Sequence, residues 1–116
     1  MLSSVAADLV QRPRNAGRLD NSTHYGECGS PGGGPYVSIW LEVQDGKIAR
    51  ATYETHGCPS SIAASSMVCQ LISGRSTDRA QLLTGEDVRL VLGGLPEGKG
   101  HFADMAVAAL KAALTG

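Results

Sequence analysis

The sequence lacks most of the marks of the common functional classes. Its three cysteines, Cys28, Cys58 and Cys69, form no CxxC pair, which sets aside the usual paired-thiol zinc and redox motifs. Ten basic residues against eleven acidic leave a formal net charge of −1, and the seven arginines are dispersed, so no phosphate-tracking surface and no nucleic-acid binding are expected. The apolar stretches fall well short of a membrane span, and the first residues lack the apolar core of a secretory signal, so no membrane partner is expected. The glycine run 32–34 has neither the Gly-Lys-Ser/Thr ending nor the following helix of a Walker loop. No hydrolytic triad or paired-carboxylate pattern is apparent, so the chain is not expected to be an enzyme.

What is present fits one small domain. A length of 116 residues can bury a single core without disulfides, and the domain is expected to span 1–116. An odd number of cysteines in a chain with no secretory look suits a reducing compartment, where thiols stay free for metal or sulfur chemistry. The expected location is the cytoplasm.

Residues 4–11 are expected to form a short helix ended by Pro13. From Gly26 to Pro35, five glycines and two prolines in ten residues predict a flexible loop carrying Cys28. Val37, Ile39, Leu41 and Val43 then alternate with Tyr36, Ser38, Trp40 and Glu42, and Asp45-Gly46 offers a tight turn into 48–55. That pattern predicts a β-hairpin. Pro59 suits a first helical turn, so a helix is expected over 59–73, stopping at Gly74. Ser76 and Thr84 are the expected N-caps of short helices over 77–83 and 85–92. A last helix over 101–114 carries the stripe Phe102, Met105, Ala109 and Ala113, flanked by Ala106, Leu110 and Leu114.

Three chemistry-bearing residues stand at junctions of these elements. Cys28 lies in the glycine loop, Cys58 just before the Pro59 helix, and His101 at the start of the last helix. Such junctions can collect at one end of an α+β domain, as a metal site requires. A thiol beside the exposed N–H groups of a helix start is also a better ligand or nucleophile than an average cysteine.

These stretches resemble the IscU family of iron–sulfur cluster scaffolds, a domain also found at the N-terminus of NifU. The resemblance rests on Arg12-Pro13-Arg14-Asn15-Ala16-Gly17, Gly26-Glu27-Cys28-Gly29, Gly57-Cys58-Pro59-Ser60-Ser61-Ile62-Ala63, Gly74-Arg75-Ser76, Leu95-Pro96-Glu97-Gly98-Lys99-Gly100-His101 and Lys111-Ala112-Ala113-Leu114. It covers nearly the whole chain, without the extra segment before the last helix that marks the SufU branch. The fold it implies is α+β: a small antiparallel sheet of about three strands with helices packed mainly on one face. It also implies a scaffold or carrier for a [2Fe–2S] cluster or an iron ion, with zinc in the isolated protein. The implied ligands are Cys28, Cys58 and His101, the implied partners a cysteine desulfurase and recipient apo iron–sulfur proteins, and a cluster-bridged dimer is compatible with it.

Two departures fall on that implied site. The family's third cysteine follows its histidine, where this chain has Phe102, and the family's aspartate two residues past the first cysteine is Ser30 here. The family's Leu-Pro-Pro-Val-Lys chaperone motif survives only as Leu95-Pro96-Glu97-Gly98-Lys99, which weakens chaperone recognition. Two other functions therefore stand beside the scaffold: a persulfide relay through Cys58, and a non-assembling regulator that docks on a desulfurase. Cys69, in mid-helix, is expected to be a core residue. His24 and His56, near the cysteines in sequence, could replace a missing ligand, but they match no family ligand and suit the surface. Asp104, one turn beyond His101, can reach the same site or orient His101, but support of the helix dipole suits it best.

Overall fold

The computed structural model describes residues 2–12, 14–29 and 33–115; Pro13 and Ser30 fall outside them. Along the chain run α1 (Ser4–Gln11), β1 (His24–Cys28), β2 (Tyr36–Gln44), β3 (Lys47–His56), α2 (Pro59–Ile72), α3 (Thr77–Ala80), α4 (Gly85–Leu92) and α5 (His101–Thr115). The three strands form one antiparallel sheet in the order β1-β2-β3. This is the α+β architecture expected, with the third strand supplied by β1.

Local chemistry explains most of the boundaries. Asp45 and Gly46 both take positive φ, 53° and 75°, the conformation a two-residue hairpin turn demands. Pro59 opens α2. Thr84 and Asp87 form a reciprocal capping box at α4, and Ser76 accepts from the Arg79 N–H at α3. The expected helix over 77–83 is shorter, ending at Ala80, because the backbone continues as turns through Leu82.

Alternation decides which face of the sheet is covered. Gly26, Ile39 and Tyr53 stand opposite one another across the strands and so share a face. On that face Val37, Ile39, Leu41, Ala51 and Tyr53 are buried, and α2 and α5 pack on it, α2 over β3 and α5 over β1 and β2. Trp40 lies on the opposite face, with Tyr25 at a ring distance of 5.1 Å and the Arg18 guanidinium 5.9 Å above the indole.

The expected flexible loop over Gly26–Pro35 needs correction, because Gly26, Glu27 and Cys28 are strand residues paired to Ile39, Ser38 and Val37. The physical reason lies at Gly26. A Cβ there would fall less than 3.0 Å from backbone atoms of Ala109, Ala112 and Ala113, so only glycine lets α5 lie directly on β1. A residue that reads locally as a loop former is here a point of helix–sheet contact.

Candidate functional site

Antiparallel pairing brings the end of β1, the start of β2 and the end of β3 to the same edge of the domain. Cys28 is the last residue of β1, on the face that Gly26 turns to α5, and is half-buried against the core. Cys58 follows β3 by two residues and is the N-cap residue of α2, also half-buried against the core. Its backbone is extended, its carbonyl accepts from the Ser61 N–H at 2.9 Å and the Ser61 hydroxyl at 2.7 Å, and its side chain makes no capping bond. The sulfur is therefore held at the helix start without being spent on the helix.

α5 reaches the same edge from the other side. Its first residue, His101, is exposed, and its ring lies 4.2 Å from that of Phe102, tilted by 35°. Phe102 is buried, 5% exposed. Its Cε1 stands 3.3 Å from where a Cβ on Gly57 would be, so the ring packs on the turn that presents Cys58. A phenylalanine thus fills the ground between the α5 start and the α2 start.

The three residues picked from sequence share this edge, but they do not form a closed cage. Among the described residues, no group of three His, Cys, Asp or Glu side chains is close enough to hold a metal ion. The segment between Cys28 and Tyr36 is Gly-Ser-Pro-Gly-Gly-Gly-Pro, which contributes no such side chain either. Two thiols and an imidazole are donors of the type that soft metals and iron–sulfur clusters accept. Among the described residues, their number and spacing do not make up a complete coordination shell.

The remaining candidates have structural duties. Asp104 accepts from Arg89 Nη1 at 3.1 Å, while the same nitrogen donates to the Gly100 carbonyl at 3.0 Å, so the carboxylate ties α5 to α4. No spacing rule in the sequence announces that pair, whose members are fifteen residues apart. His56 stacks on Tyr36 at 6.3 Å, and His24 pairs with the Thr23 hydroxyl at 2.8 Å at the far end of β1 from Cys28. Cys69 is fully buried, and desolvation pushes its thiol well above the usual range, the behaviour of a core residue. Desolvation also raises the Tyr53 hydroxyl.

Comparison with known proteins agrees with this architecture. The family model of the NifU-like N terminal domain matches residues 1–116. The iron–sulfur cluster assembly scaffold protein IscU of Escherichia coli is 36% identical over 97% of this chain and 90% of that protein. IscU 1 of Archaeoglobus fulgidus is 34% identical over 98% of this chain and 74% of its own length. In structure, the chain superposes on a hypothetical protein with a TM-score of 0.78 at 25% identity, covering 97% of this chain and 95% of the other. The N-terminal region of a NifU-like protein from Brucella abortus gives a TM-score of 0.61 at 22% identity, over 93% and 75% of the two chains. The chain belongs to the NifU-like N-terminal domain family, which includes the IscU proteins.

Proposed function

We propose that this protein is an iron–sulfur cluster assembly scaffold or cluster carrier of the IscU kind. Its cargo on this reading is a [2Fe–2S] cluster or an iron ion, with zinc on the same donors in the isolated protein. One observation supports it above others: the two junction cysteines and His101 lie at a single edge of a fold shared with proteins named as scaffolds. Scaffolding, on this reading, is binding and transfer rather than turnover.

The incomplete ligand set belongs to the proposal. A site that lacks a protein ligand leaves a position for water, for a recipient's thiolate or for a second copy of the chain in a cluster-bridged dimer. The partners it implies are a cysteine desulfurase as sulfur donor and apo iron–sulfur proteins as recipients. Glu97 and Gly98 interrupt the specialised-chaperone motif, which weakens that chaperone as a partner. The setting proposed is the cytoplasm; among the described residues no helix is long and apolar enough to cross a membrane.

A persulfide relay is the second reading, favoured by the Cys58 side chain, which makes no capping bond at the start of α2. Anaerobic purification, followed by iron and acid-labile sulfide analysis, tests the scaffold reading. Cys28→Ser and Cys58→Ser should each lose most of the bound metal, and Cys69→Ser should keep it. Equal loss from all three variants, with circular dichroism unchanged, would overturn the ligand assignment.

A further inference from the structure

The opposite end of α2 carries a second surface that the cluster chemistry does not use. Between the last turn of α2, α3 and α4 runs a groove of about 280 Å³ walled by Leu71, Leu82, Leu83 and Val91, with Arg75 and Arg79 on its rim. Leu82 is 74% exposed and Val91 47%, a poor arrangement for a surface meant to face only water. Leu90, on the same helix as Val91, is 72% exposed. From Cys58 to Leu71 the helix rises roughly 20 Å, so an occupant here leaves the cysteine edge open.

The rim selects the occupant by charge. Neither Arg75 nor Arg79 is in an ion pair among the described residues. Arg75 donates its Nε to the Leu71 carbonyl, which leaves its terminal nitrogens unspent. Among the described residues one carboxylate lines the groove, Asp87, which accepts from the Thr84 N–H in the cap of α4 and leaves the two arginines in excess. A second copy of this chain would bring a like-charged rim against this one, an unfavourable pairing across a two-fold interface. The volume lies at the lower edge of the roughly 300–1,000 Å³ that encloses a drug-sized ligand, so side chains of a peptide fit better than a free small molecule.

We propose that the α2–α3–α4 groove docks a segment of another protein whose aliphatic side chains are flanked by carboxylates. The aliphatic residues enter between Leu71, Leu82, Leu83 and Val91, and the carboxylates pair with Arg75 and Arg79. Docking is independent of the metal site.

The test titrates the isotope-labelled full chain with a short amphipathic helical peptide bearing leucines flanked by glutamates, read by amide chemical shifts. Saturable shifts are expected around Leu71–Ala80 and Leu82–Val91. Binding should weaken about fivefold in Arg79→Glu and about tenfold in Leu82→Ser. Both side chains are exposed, so folding should be untouched; Cys58→Ser should bind as the parent does. Equal binding of peptides with lysine for glutamate or serine for leucine, shifts centred elsewhere, or no saturation at millimolar peptide would each overturn the proposal. So would concentration-dependent dimerisation abolished by Leu82→Ser, which would assign the groove to a second copy.

Discussion

Replacing Phe102 by cysteine tests whether the incomplete ligand set comes from one side chain. Phe102 is 5% exposed and packs beside Gly57 and the Cys58 turn, so its loss removes most of an aromatic side chain from the edge of the core. Truncating a buried phenylalanine costs about 3–5 kcal/mol, and cysteine, keeping part of the bulk, should sit near about 3 kcal/mol. A chain of 116 residues has a total stability of about 6–17 kcal/mol, so the variant should still fold. At about 4–6 °C per kcal/mol for this size, its melting midpoint should drop by about 12–18 °C without metal.

Metal should then return most of that loss, because the new thiolate stands beside His101 at the start of α5. A ligand at one hundred times its Kd stabilises the folded state by about 2.7 kcal/mol, close to the deficit. The assay is thermal or urea unfolding with and without zinc, with Phe102→Ala as the control that opens the same space but adds no thiolate. Zinc should raise the midpoint of Phe102→Cys strongly and that of Phe102→Ala hardly at all. An equal response of the two variants, or none in either, refutes the idea that Phe102 occupies the missing ligand's place.

Three further outcomes follow from particular contacts. Gly26→Ala should destabilise by at least about 1–3 kcal/mol in urea, since its Cβ meets the backbone of α5 rather than a movable side chain, and truncating Ala109 to glycine should not rescue it. Burial raises the Cys69 thiol in the fold, so its contribution to stability is fully present below the unfolded pKa of about 8.5 and is lost as pH rises above it; Cys69→Ala should flatten that alkaline slope of up to about 1.4 kcal/mol per pH unit, seen in urea midpoints between neutral and alkaline pH. Incubation with a cysteine desulfurase and cysteine should load persulfide on Cys58 before Cys69, read by mass spectrometry of alkylated peptides, and rapid loading that ignores bound zinc would favour the relay reading over the scaffold.

The glycine-rich stretch shows why some of the fold could not be read locally. Composition around Gly26 argued for a loop, and it did so correctly for the chain's intrinsic preferences. Strand pairing with β2 and the close approach of α5 override those preferences, and both come from residues distant in sequence. Asp104 illustrates the same limit at the candidate site. Its place one turn past His101 suggested the helix dipole or a ligand role, yet its partner is Arg89, supplied by another helix.

By itself the sequence determined the elements whose causes are local. The hairpin follows from period-two alternation and an Asp45-Gly46 turn, α2 from Pro59, and the short helices from the Ser76 and Thr84 caps, because each is decided by residues within a few positions. It also marked Cys28, Cys58 and His101 by their junction positions, and its resemblance to a family named the fold. Only the tertiary structure decided that these residues lie at one edge, that a buried Phe102 stands beside the Cys58 turn, and that among the described residues no three ligands close on a metal. Those facts depend on how α5 lies across β1, a packing set by backbone approach at Gly26 between segments more than eighty residues apart, and no local pattern encodes the distance between such segments.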